Sequence, residues 1–166
     1  RTLTVISDAE KMIQKENPDF SMDHIDMQDK DVFAMLSAGD TAGVFQFESA
    51  GMRSVLMQLG PESIEDMIAV ISLYRPGPMD SIPMYIENRH HPERVKYLHP
   101  KLSKILDVTY GCMVYQEQVM QVFRELAGYS FGRADIVRRA MSKKKADVMN
   151  REREIFVNGL TDEQGN

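Results

Sequence analysis

Residues 64–78, Ile64-Glu65-Asp66-Met67-Ile68-Ala69-Val70-Ile71-Ser72-Leu73-Tyr74-Arg75-Pro76-Gly77-Pro78, contain both a clear hydrophobic period and a sharp stop. Ile64, Met67, Ile68 and Ile71 recur at i, i+3, i+4 and i+7, the spacing that stacks side chains on one face of an α-helix. The helix must end before Pro76, whose ring disfavours a helical Arg75. Two prolines fix φ and the glycine between them admits conformations that other residues resist, so Arg75–Pro78 is a rigid turn or hinge. By its local chemistry alone it is a connector between helices.

The same period extends outward. Val119, Met120, Phe123, Leu126 and Ala127 form a second stripe, closed by Gly128 as a C-terminal cap. Shorter helical readings suit Leu3–Lys15, Asp31–Ala38, Met52–Leu59 and Pro83–Arg89, with weaker breaks at 88–92 and 128–132. No convincing alternation of strand type occurs, and at most Asp107–Val114 holds one short extended piece. The expected fold is mainly α, an irregular multi-helix arrangement with long loops and at most a short strand element.

A chain of 166 residues that is 43% hydrophobic fits one domain with a real core. No run approaches the roughly 18 apolar residues of a membrane span. The opening RTLTVISDAE also lacks the charged-then-apolar order of a secretory signal, so the expectation is a cytoplasmic protein without a membrane partner. Cys112 stands alone, which excludes an internal disulfide and a thiolate cluster and suits a small buried apolar side chain. An opening on Arg1 and a polar close at Thr161–Asn166 read as an internal piece of a longer chain.

Charge is unevenly spread. The net charge is -5, yet residues 129–159 carry eight Lys/Arg against four acids. A phosphate-bearing partner would be drawn to that part. Read as one basic helix from Phe131 to Lys145, this segment places Ile136, Val137, Ala140 and Met141 on one arc and Asp135, Arg138, Arg139 and Ser142 on the other. Lys143, Lys144 and Lys145 continue the positive surface. Guanidinium groups suit bidentate phosphate contacts and lysines add less directional attraction. Cations near a helix C-terminus equally complement its dipole and keep a surface soluble, so residue chemistry alone leaves both readings open.

Other constellations are plainer. His90 and His91 are loop neighbours, His24 and His99 lie far away, and no metal-ligand spacing appears. Glu65 with Asp66, and Asp23 with Asp26, are ordinary helix-surface or cap placements rather than a general acid–base pair. Neither Ser49-Ala50-Gly51 nor Gly77-Pro78 makes a phosphate loop, and no nucleophile triad is suggested. Tyr115-Gln116-Glu117-Gln118 puts four hydrogen-bonding side chains at the mouth of the Val119–Ala127 helix. Glu117 there suits the dipole, and the two glutamines suggest a partner.

Four strings then line up in order: Gly43-Val44-Phe45-Gln46-Phe47-Glu48-Ser49, Leu73-Tyr74-Arg75-Pro76-Gly77-Pro78-Met79, Tyr115-Gln116-Glu117-Gln118-Val119-Met120, and Ala134-Asp135-Ile136-Val137-Arg138-Arg139-Ala140-Met141-Ser142-Lys143-Lys144-Lys145. Together they resemble the alpha subunits of bacterial DNA polymerase III, the C-family replicative polymerases, of the ordinary rather than the other Gram-positive type. The resemblance implies a fingers region at 1–160, following the palm, with 161–166 a polar turn or linker. It implies DNA-directed DNA polymerase activity in the parent by two-metal phosphoryl transfer, with Mg2+ held by palm aspartates that precede Arg1. No catalytic or metal-binding residue is then expected within the chain, and the chain alone should be inactive.

The resemblance also gives the basic segment a role, since the family's matching arginine pair faces the phosphates of the incoming nucleotide. That role passes to Arg138 and Arg139. Arg75, Tyr115, Gln116, Gln118, Lys143, Lys144 and Lys145 are expected near the nucleotide or DNA path, without individual contacts. Ser142 replaces a glycine common in the family, which bears on the backbone at that helix end. Implied partners are primer–template DNA, deoxynucleoside triphosphates and other replicase subunits, such as the sliding clamp, through regions outside this chain. Two other classes stand beside it: a non-enzymatic helical nucleic-acid-binding module, and a protein-interaction module using the acidic first part. The thirteen methionines fit an adaptable surface or core filling.

Overall fold

Small polar side chains at the helix starts set most element boundaries in a computed structural model that describes residues 2–159. Asp29 Oδ1 accepts from Asp31 N, and Ser49, Ser63 and Ser130 accept from the backbone three residues on, satisfying first-turn donors that have no helical partner. Nine α-helices result among the described residues: α1 (Thr2–Ile13), α2 (Lys30–Ser37), α3 (Ala50–Leu59), α4 (Ile64–Leu73), α5 (Ile82–His90), α6 (Pro100–Leu106), α7 (Gln116–Ala127), α8 (Phe131–Ser142) and α9 (Ala146–Asn158). Short 3-10 turns join several of them, and no strand occurs among the described residues. The mainly α expectation holds. Arg1 and residues 160–166, including the polar end expected at 161–166, lie outside the described residues.

Packing divides the molecule into two linked parts. Phe33 and Leu36 of α2, Met52, Leu56 and Leu59 of α3, Met67, Val70 and Leu73 of α4, and Ile82 and Tyr85 of α5 share one core, which Cys112 and Val114 complete. Met67, Val70 and Leu73 are buried, a face rotated from the Ile64, Met67, Ile68, Ile71 spacing: Ile68 is exposed, and Ile64 and Ile71 are only partly buried. A second core joins Met120 of α7, Tyr129, and Ala134 and Val137 of α8, with Met149 and Ile155 of α9 packed on it. Ile105, Leu106 and Val122 tie α6 to α7. By contrast, α1 buries no residue among those described: Leu3 is 81% exposed, Glu10 accepts from Met22 N, and Gln14, just past the helix, donates to the Phe20 carbonyl.

Four local expectations are corrected. Asp107–Val114 is not extended: Asp107–Thr109 form a 3-10 turn, and Tyr110 and Gly111 then take positive φ, so the chain turns back on itself. The Thr109 hydroxyl locks this turn by donating to the Cys112 carbonyl at 2.6 Å. Second, the basic segment is not one helix to Lys145. α8 stops at Ser142, Lys144 takes φ 51°, Lys144 N donates to the Met141 carbonyl and Lys145 N to the Ala140 carbonyl, a Schellman-type closure. Third, the buried face of α8 runs through Ala134, Val137 and Ala140, and Ile136 points outward, 59% exposed. The wheel had no way to weigh the small Ala134, which allows close approach to α7. Fourth, α6 and α9 were not anticipated; α9 packs Met149, Ile155 and Phe156 against the rest, and within that face the buried Glu152 receives Arg133 at 3.1 Å.

Candidate functional site

The mouth of α7 is set from beneath. Gln118 lies one turn into the helix, 4% exposed, and its Oε1 accepts from Val114 N and Tyr115 N, both at 2.9 Å. Its Nε2 donates to Thr109 Oγ1 at 2.7 Å and to the Ile105 carbonyl at 3.2 Å. One amide thus fastens the loop before α7, the turn at Thr109 and the end of α6. Both ends of its amide are committed to buried protein groups, so Gln118 shapes the loop before α7.

Fixing that loop brings Tyr115 and Gln116 opposite the last turns of α8. There, with the rigid turn after α4, they enclose a cleft of about 240 Å³ lined by Arg75, Tyr115, Gln116, Arg138 and Ser142, with Met113 and Met141 at its sides. Four positions singled out from sequence, Arg75, Tyr115, Gln116 and Arg138, therefore meet from three separate segments. The turn at Arg75 needs Gly77, whose φ is 104°. Arg75 is exposed at the rim and Tyr115 is half-buried, its phenol pushed above the usual range by burial and then by the charge of Glu65.

Arg138 and Arg139 share one carboxylate. Asp135 Oδ1 accepts from Arg138 Nε at 2.9 Å and Nη2 at 2.7 Å, while Arg139 Nε meets Oδ2 at 2.7 Å. Gln116 Oε1 takes Arg138 Nη1 at 2.6 Å, which ties α8 to α7. The hydrogen bonds from Arg138, with the nearby positive charge of Arg139, hold the Asp135 carboxyl below its usual range. Arg138 is 25% exposed, Arg139 66%. Neither Nη of Arg139 has a hydrogen-bond partner among the described residues, so that end of the side chain is open to solvent.

Lys143, Lys144 and Lys145 are exposed on the turn that closes α8 and make no ion pair among the described residues. They flank the arginines without lining the cleft. Asp135 was legible only as a solvent-facing acid, although its i, i+3 and i, i+4 spacing to the two arginines is the signal of a shared pair. Met113 and Met141 carried no signal of their own.

Remaining polar clusters are used by the fold. Arg89 reaches Asp66 at 2.9 Å and Glu62 at 2.9 Å, and lies 5.7 Å from the Tyr110 ring centre. His90 Nε2 pairs with the Leu59 carbonyl at 2.8 Å, and His99 Nδ1 accepts from Lys101 N at 3.1 Å. Among the described residues no three His, Cys, Asp or Glu side chains are placed to hold a metal ion. No helix of the described residues is long and apolar enough to cross a membrane. Pro78, Met113, Val114, Val119 and Met141 give the cleft an apolar side, and Arg75, Tyr115 and Arg138 give it a polar one with N–H donors suited to an anion.

Comparison with known proteins gives a consistent result. Residues 2–164 match the family described as the bacterial DNA polymerase III alpha subunit finger domain. The DNA polymerase III subunit alpha of Staphylococcus epidermidis is 51% identical over 160 residues, which cover 96% of this chain and 15% of that protein. Those of Staphylococcus aureus and Bacillus subtilis are each 50% identical over 96% of this chain, and 15% and 14% of their own lengths are covered. The chain thus spans about one-seventh of the length of these relatives.

Proposed function

The chain belongs to the bacterial DNA polymerase III alpha subunit finger-domain family, and from that premise we propose that it binds the triphosphate of an incoming deoxynucleotide during template-directed DNA synthesis. The observation that carries this reading is the pair Arg138 and Arg139, held by one carboxylate beside a cleft that also draws in Arg75 and Tyr115. Two adjacent guanidiniums supply more donors than Asp135 can accept, and the surplus matches the oxygen-rich edge of a polyphosphate. Fixed donors of this kind stabilise charge that shifts along the phosphates as the α-phosphate is attacked, without having to reorganise at that moment.

On this reading, attack by the primer 3′-hydroxyl and the Mg2+ that such a polymerase uses belong to residues outside this chain. Lys143, Lys144 and Lys145, exposed on the turn that closes α8, would follow the primer–template backbone, a contact that weakens with salt. Assembly with a sliding clamp and other replicase subunits belongs likewise to the rest of the alpha subunit, and a cytoplasmic location goes with that role.

The test is steady-state kinetics of a full-length alpha subunit carrying this segment. Arg138→Ala/Arg139→Ala should raise the nucleotide KM or lower kcat while primer–template binding persists. Unchanged nucleotide kinetics defeat the assignment. A non-enzymatic DNA-binding module would instead show salt-sensitive DNA binding by the chain alone and no nucleotide phenotype.

A further inference from the structure

We propose that Asp135 is a positioning residue, which clasps Arg138 through Nε and Nη2 and Arg139 through Nε so that the N–H donors the two guanidiniums have left are held side by side for one polyphosphate. The inference rests on the reading of the two arginines as triphosphate ligands and adds a residue that never touches the nucleotide. Its ground is an asymmetry in the contacts. Asp135 takes Nε of both arginines, through Oδ1 for Arg138 and Oδ2 for Arg139. Arg138 is further pinned at Nη2 by the same oxygen and at Nη1 by Gln116. Arg139 is held by its Nε alone and is the more exposed of the two. Arg138 is therefore a fixed strut in the cleft wall and Arg139 the freer arm beside it, outside the cleft lining.

Adjacent arginines on a helix would otherwise diverge and repel, each sampling many rotamers. One carboxylate between them removes much of that freedom before a ligand arrives. It also cancels one of the two positive charges. Asp135 thus works against simple attraction for a triphosphate and in favour of alignment, and these two consequences separate in kinetics. An ordinary helix-surface pair of the i, i+3 and i, i+4 type would instead contribute a little to stability and leave both kinetic constants alone.

The experiment is Asp135→Asn in a full-length alpha subunit, with saturating primer–template and varied deoxynucleotide. The expected result is kcat reduced about tenfold or more, the size of effect that misaligned contacts produce, at a nucleotide KM that is unchanged or lower. Asp135→Glu, which keeps a carboxylate, should recover at least half of the lost kcat. A kcat within about twofold of the unsubstituted enzyme, any rise in nucleotide KM, or no recovery in Asp135→Glu overturns the proposal. If Asp135→Asn no longer binds primer–template, Asp135→Ser is judged on the same two constants. The arginine double variant separates the failures. Normal kinetics in that variant sink the phosphate reading and this inference with it, whereas impaired arginines beside a normal Asp135→Asn sink this inference alone.

Discussion

Replacing Gln118 by alanine should unseat the mouth of α7, and the size of the effect follows from four hydrogen bonds. The side chain is buried and its Oε1 is the acceptor for two backbone donors, Val114 N and Tyr115 N. Its Nε2 supplies the Ile105 carbonyl and Thr109 Oγ1. Thr109 keeps its bond to the Cys112 carbonyl in the variant. The cost is then dominated by two backbone N–H groups left without partners, at about 1–3 kcal/mol each. Water reaching the half-buried Tyr115 N would soften one of them, so about 3 kcal/mol is expected. For a domain of this size that corresponds to a fall in Tm of about 6–12 °C. Thermal and urea unfolding followed by far-ultraviolet circular dichroism measure it, with Gln118→Glu as companion. The carboxylate of Gln118→Glu keeps an acceptor oxygen for the two backbone N–H groups but loses the amide N–H donors, so it too should be destabilised. A Gln118→Ala variant of unchanged stability but raised nucleotide KM would refute the reasoning and return Gln118 to the set of ligand contacts.

Two further outcomes follow from the charged clusters. Arg89→Met leaves the carboxylate of Asp66, 2% exposed, without its cation; a loss of about 3 kcal/mol is expected in urea unfolding, more than in the double variant Asp66→Asn/Arg89→Met, and a loss below about 1 kcal/mol would contradict the pairing. Asp135, held low chiefly by hydrogen bonds from Arg138, should titrate by carboxyl NMR below a free aspartate. Its pairing is therefore fully present above the ordinary carboxylate range and is lost only as pH falls through the lowered midpoint; Arg138→Ala should move that midpoint up, and an unmoved midpoint would count against the shared clasp.

What the sequence revealed depended on how local each signal was. The stripe at Ile64–Ile71 and the cap at Gly128 are set by neighbours within one or two turns, and α4 and α7 appear where those signals place them. The end of α8 was missed because three lysines favour helix continuation while Lys144 adopts a left-handed φ that no lysine advertises. α9 was missed because its apolar stripe, Met149, Ile155 and Phe156, is interrupted by Glu152, whose burial depends on Arg133 19 positions away. In the site, the resemblance supplied Arg138 and Arg139, and the cleft then joined Arg138 to Arg75 and Tyr115 from separate segments. Gln118 looked like a surface glutamine beside Gln116, yet a helix turns by about 100° per residue and the two face opposite ways. Asp135 became informative only when its two oxygens were seen to serve two arginines.

The central claim is that Arg138 and Arg139 grip the triphosphate, and the most direct measurement is the Kd of a deoxynucleotide for a preformed complex of the full-length alpha subunit with a chain-terminated primer–template. In Arg138→Ala/Arg139→Ala the account predicts that this Kd rises about tenfold or more, as expected for lost charge-assisted contacts, while the Kd for primer–template itself stays within about twofold. An unchanged nucleotide Kd, or a loss confined to primer–template binding, would contradict it.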